Sequence, residues 1–125
     1  MSVQEQLRAL VHRHHANLAE QIASVDRLLT ARDEEGHAPH DSIVEAQGIT
    51  HQMKGTAGSM GFAALSTAAA ELDTSLKQLK ALDGAVTSDQ MQEASQFLSS
   101  LQKIASETTP EMSTLYNADL SQLAK

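Results

Sequence analysis

The sequence predicts an all-α protein, an antiparallel up-down four-helix bundle. Three observations carry this. Apolar residues recur at spacings of three and four through four segments. Aromatic residues make up only 2% of the chain, against 41% hydrophobic residues overall, so the core is built from Leu, Ala, Ile, Val and Met. The connectors between the last three segments are short, which favours antiparallel neighbours. At 125 residues the chain is enough for one domain with a real core. We read residues 1–125 as a single bundle, with a core of about 16–108 and a C-terminal extension of about 109–125.

The first segment runs from about Val3 to Arg32. Leu7, Val11, Leu18, Val25 and Leu29 form its stripe, widened by Leu10, Ile22 and Leu28. His14 also falls on this stripe, so the N-terminal half is expected to be less well buried. An acidic connector, Asp33 to Asp41, contains Gly36 and Pro39 and reads as a loop. Ser42 followed three residues later by Glu45 has the pattern of a capping box and is expected to start the second helix. Its core positions are Ile43, Ala46, Thr50, Met53, Ala57 and Met60, with an end between Gly58 and Gly61. The third helix repeats that rhythm with Phe62, Leu65, Ala69, Leu72, Leu76 and Leu79, and Asp83-Gly84 ends it. Thr87 with Gln90 is a second capping-box candidate. The fourth helix then runs through Met91, Ala94, Leu98, Leu101 and Ala105, with Phe97 and Ile104 alongside. Thr109-Pro110 reads as an N-cap with proline at the first helical position. It can open a short fifth helix carrying Met112, Leu115, Tyr116, Leu120 and Leu123.

Composition excludes several function classes. The chain has no cysteine, which removes disulfides, thiolate chemistry and Cys-based zinc sites. A net charge of -7 and a pI near 5.2 disfavour nucleic acid and anionic membranes as partners. No apolar run reaches membrane-spanning length and the N-terminus lacks a signal-peptide pattern, so a cytoplasmic location is expected.

The informative stretch is Thr50 to Phe62. On a helical wheel His51 points roughly 140° away from the stripe of Ala46, Met53 and Ala57, towards solvent. Its outward-facing neighbours are Val44, Gln47, Gly48, Lys54, Gly55 and Gly58. Each glycine inside a helix costs roughly 0.8–1 kcal/mol relative to alanine. A segment selected only for folding would carry alanine there, as Ala68, Ala69 and Ala70 do in the third helix. The glycines leave the His51 ring standing above a bare backbone that a large partner can approach. Lys54 lies three residues after His51 on the same face, and is the sole Lys or Arg between Arg32 and Lys77. One cation beside an exposed histidine suits a phosphoryl group that arrives and leaves. An exposed imidazole with a pKa near 6.5 is largely neutral and nucleophilic at pH 7. The chain shows neither an ATP-binding Gly-rich loop nor an acidic metal cradle.

At these residues the sequence resembles the histidine phosphotransfer (HPt) domain family of two-component phosphorelays. The family pattern is His, two residues, Lys-Gly, Ser or Thr, a small residue, then three residues and Gly. Here it reads His51, Lys54-Gly55, Thr56, Ala57 and Gly61, followed by Leu65. The resemblance covers roughly Ala16 to Ile104. It implies that His51 is phosphorylated at Nε2 and relays the phosphoryl group between aspartates of receiver domains. Lys54 would balance the phosphoryl charge, Gly55 would leave room for the partner and Gly61 would shape the turn into the third helix. Val44, Gln47, Gly48 and Gly58 would flank the docking surface. The implied partners are response-regulator receiver domains and a sensor or hybrid histidine kinase. No resident cofactor is expected, the Mg²⁺ being supplied by the receiver. The chain would be a monomeric carrier without kinase activity of its own. The long acidic loop and the segment after Pro110 depart from the family pattern.

Plainer readings of the same residues stand beside this one. His51 can be a surface histidine without a role, Gly48 and Gly55 can serve tight helix packing, and Lys54 can simply solubilise its face. A bundle that docks a receiver domain without accepting phosphate is the alternative function. A metal-binding bundle built on His12, His14, His15, His37 and His40 is a weaker one, because the third and fourth helices contain no histidine.

Overall fold

A computed structural model describes residues 2–117. Four helices follow in order: α1 Val3–Thr30, α2 His40–Ser59, α3 Ala63–Lys80 and α4 Ser88–Glu107. A single 3₁₀ turn at Pro110–Met112 comes after them. The helices pack around one core, as the apolar periodicity predicts. Val11, Leu18, Ile22, Val25 and Leu29 of α1 are buried, with Ile43, Ala46, Met53 and Ala57 of α2. Leu65, Ala69, Leu72, Leu76 and Leu79 of α3 and Met91, Ala94, Leu98 and Leu101 of α4 complete it. The pairing of α2 with α3 is the most extensive. The N-terminal half of α1 is the less buried half: Leu7, Leu10 and His14 are only half-buried.

The caps explain the boundaries. Ser2 accepts a hydrogen bond from the Glu5 backbone N–H and starts α1. Thr87 and Gln90 form the expected capping box at α4. The box expected from Ser42 and Glu45 does not form. Helix α2 begins two residues earlier, with Pro39 as its N-cap and no side-chain cap. A tertiary contact overrides the local signal there: Ala38 and Val86 exchange backbone hydrogen bonds of 2.8 Å across the two connectors. The bridge fixes where the chain enters the helix. The His40 ring is also held, its Nε2 lying 3.0 Å from the Lys80 carbonyl oxygen.

Helix α2 ends in a Schellman motif. Phe62 N–H reaches back to the Ala57 carbonyl and Gly61 N–H to the Gly58 carbonyl, with Gly61 at φ +78°. This is the terminator expected of Gly61. The helix expected after Pro110 is corrected to that one 3₁₀ turn followed by turns to Asn117, while Leu120 and Leu123 lie outside the described residues. The segment is instead bound to other parts of the molecule. Ser113 donates to the Met60 carbonyl, Thr114 N–H to the Gly61 carbonyl, and Arg8 Nε to the Tyr116 carbonyl at 3.0 Å. His15 Nε2 lies 2.8 Å from the Thr108 carbonyl oxygen. These tertiary hydrogen bonds take the place of the intrahelical ones a fifth helix would have made.

Candidate functional site: an exposed histidine on a buried carboxylate

Helix α2 presents His51 outward, its side chain 57% exposed. Gly48 and Gly55 flank it, and a Cβ added at either would meet no atom within 4 Å. Both therefore face open space, and neither holds another helix close. Gly58 differs: it is exposed, yet an added Cβ would lie 3.2 Å from Ser66 Oγ of α3. Its bareness serves the α2–α3 contact at least as much as the outer surface. Val44 is half-buried on the same face.

The third helix supplies what the motif does not contain. Asp73 is 1% exposed, and it faces His51 across the α2–α3 seam. His51 Nδ1 lies 3.2 Å from Asp73 Oδ2. The same oxygen receives Lys54 Nζ at 3.4 Å and Lys77 Nζ at 3.3 Å. Asp73 Oδ1 accepts from Gln47 Nε2 at 2.9 Å, and Gln47 Oε1 accepts from Lys80 Nζ at 3.3 Å. Gln47 is thus corrected from an outward docking residue to a buried one. Its wheel position lies on the α3 side of the face, and its amide is drawn into the seam by the carboxylate.

A buried carboxylate needs partners, and this one has them. Burial pushes the Asp73 carboxyl up. The hydrogen bonds from Gln47, His51, Lys77 and Lys54 outweigh it and hold the group at about 2, from an ordinary 3.8. Asp73 is therefore ionised throughout the physiological range and can only accept hydrogen bonds. The ring nitrogen facing it must carry the hydrogen, which leaves the lone pair of neutral His51 on Nε2, the outward nitrogen. An exposed nucleophilic nitrogen, fixed in tautomer and ring orientation, is what this arrangement offers chemically.

The family model described as Hpt domain matches residues 4–123. The chain belongs to the Hpt domain family. The match runs past Ala16–Ile104 at both ends and takes in the N-terminal half of α1 and the C-terminal segment. Neither a curated protein nor a solved structure matches. Hpt domains work in phosphotransfer within two-component signalling, together with receiver domains and histidine kinases, and the chain is placed in that system. Among the described residues no helix is long and apolar enough to cross a membrane, and no three His, Asp or Glu side chains converge as metal ligands. Three of the other histidines have neighbours of their own: His15 faces the Thr108 carbonyl, His12 lies 3.4 Å from the Tyr116 hydroxyl, and His40 faces the Lys80 carbonyl.

Asp73, Gln47 and Lys77 as one network are what the sequence reading missed. A signal was present. Asp73 sits four residues after Ala69 and three before Leu76, at the border of the apolar stripe, with Lys77 one turn further on. A carboxylate beside a core stripe is rarely buried without a cation.

Proposed function

We propose that His51 is the phosphoacceptor of a phosphorelay carrier that passes a phosphoryl group between receiver-domain aspartates. The observation that carries this reading is the pairing of an exposed Nε2 with an Nδ1 held on buried Asp73. The Nε2 lone pair attacks the phosphorus of a receiver's aspartyl phosphate. The N–P bond forms as the P–O bond to the aspartyl oxygen breaks, and the carboxylate leaves with that electron pair. The proton on Nδ1 stays with the ring against Asp73, so the product is a phosphorylated imidazolium. That group is a good phosphoryl donor, and the reverse sequence delivers the phosphoryl group to the next aspartate.

Lys54, 34% exposed beside the ring, supplies positive charge for the incoming group. Gly48 and Gly55 leave the space a receiver needs to bring its aspartyl phosphate to Nε2. The carboxylate of Asp73 is occupied by four donors, so the Mg²⁺ belongs to the receiver in this reading. In this reading the protein is a monomeric carrier in the cytoplasm.

The test is a transfer assay with phosphorylated receiver domains. The expected product is an acid-labile, base-stable phosphate mapped to His51, lost in His51→Gln while the helical circular dichroism is kept. Labelling of the His51→Gln protein at the wild-type rate would disprove the assignment. A folded wild-type protein that binds receivers and takes no label would be a docking module instead.

A further inference from the structure

From the lysine pair on Asp73 we infer that Lys77, outside the His-Lys-Gly motif, is a second phosphoryl-binding residue that moves from Asp73 to the phosphoryl group when His51 is phosphorylated. This rests on the phosphocarrier reading and adds a residue to that site. Three donors, His51 Nδ1, Lys54 Nζ and Lys77 Nζ, converge on the single oxygen Asp73 Oδ2 at 3.2, 3.4 and 3.3 Å. A carboxylate oxygen offers about two lone-pair directions. One donor is therefore in excess and can leave at little cost.

Lys77 is the donor freest to leave. Its side chain is 53% exposed against 34% for Lys54, and it stands on α3, one turn after Asp73. Its ammonium rides on a flexible four-carbon stem. Because both share one oxygen, it lies within two hydrogen-bond lengths of the His51 ring.

Charge accounting gives the reason for the move. Phosphorylated His51 brings about two negative charges on the phosphoryl group and one positive charge on the ring. Asp73 adds one negative charge, fully enclosed. Lys54 alone leaves the cluster one charge short of neutral, and Lys77 closes it. Lys80 is engaged by Gln47 Oε1 and stands one step removed from the ring.

The test uses the full chain labelled on His51 with phosphoramidate and followed by phosphorus NMR against pH. A cation on the phosphoryl oxygens favours the dianion, so Lys77→Gln should raise the pH at which the phosphoryl group takes up its proton by about 0.5 or more. Lys77→Arg should restore the wild-type titration, and Lys80→Gln should leave it unmoved. With a receiver that labels the wild type, the equilibrium share of phosphoryl on Lys77→Gln should fall by about fivefold. In unmutated protein the Lys77 side-chain methylene signal next to nitrogen should shift on labelling, which needs no variant to fold. Titrations alike in Lys77→Gln and wild type, or a Lys77 signal that stays put, would overturn the inference and leave the carrier reading intact. Failure of the wild type to label at His51 from both phosphoramidate and phosphorylated receivers would overturn both.

Discussion

At the scale of single residues, the proposed role of His51 turns on Asp73, the buried carboxylate that faces its ring. The carboxyl is held at about 2 in the folded protein against an ordinary 3.8. Its folded value is depressed, so its contribution is complete above about pH 4 and is lost as pH falls through 3.8 towards 2. The linked stability is on the order of 2 kcal/mol. Asp73→Asn should therefore lower stability at pH 7 by roughly 1–3 kcal/mol, measured by urea denaturation. It should also flatten the acid limb of the stability profile. An amide no longer compels Nδ1 to carry the proton, so nitrogen NMR of His51 should show a mixture of tautomers and transfer should slow by about tenfold or more. An unchanged acid limb would mean that ionisation of Asp73 contributes little to holding the seam together.

At the scale of elements, α2 gives up intrinsic helix stability for an accessible outer face. Gly48 and Gly55 meet nothing, so alanine at either would be free of clashes. Gly55→Ala should stabilise the protein by about 0.8–1 kcal/mol, seen as a raised melting temperature. Gly55→Leu should fold as well and yet transfer poorly, because its side chain occupies the approach to His51. A leucine variant with full transfer would show that receivers come in from another side. The same helix shows how local and tertiary signals divide. The outward placement of His51, Gly48 and Gly55 was legible from periodicity, since rotation per residue is a property of the helix, while the burial of Gln47 against Asp73 was not. The start of the helix was not legible either, because the Ala38–Val86 bridge and the Lys80 carbonyl act on it from elsewhere in the chain.

At the scale of the whole molecule, the segment after α4 ties the C-terminal end of the motif helix to the N-terminal half of α1. It runs from Thr108 beside His15 to Tyr116, whose ring lies 4.8 Å beneath the Arg8 guanidinium. On the way it grips the turn at Met60 and Gly61. Gly61 is constrained twice, by φ +78° and by Thr114 N, which would lie 2.8 Å from an added Cβ. Gly61→Ala should cost about 2 kcal/mol or more and expose the segment to limited proteolysis after Thr108. A cost below about 1 kcal/mol would mean that the turn and the segment separate easily. The sequence by itself determined the four helices, their apolar stripes and the outward His51-Lys54-Gly55 face. Those depend on spacing along one helix, and the backbone fixes spacing. The tertiary structure alone decided that Asp73 and Gln47 meet His51 across the α2–α3 seam, and that Lys77 joins Lys54 on one oxygen. It also decided that residues 108–117 form a strap held by tertiary hydrogen bonds. Those outcomes depend on which elements pack together and on which buried charge then requires partners, and neither is encoded within reach of a single turn.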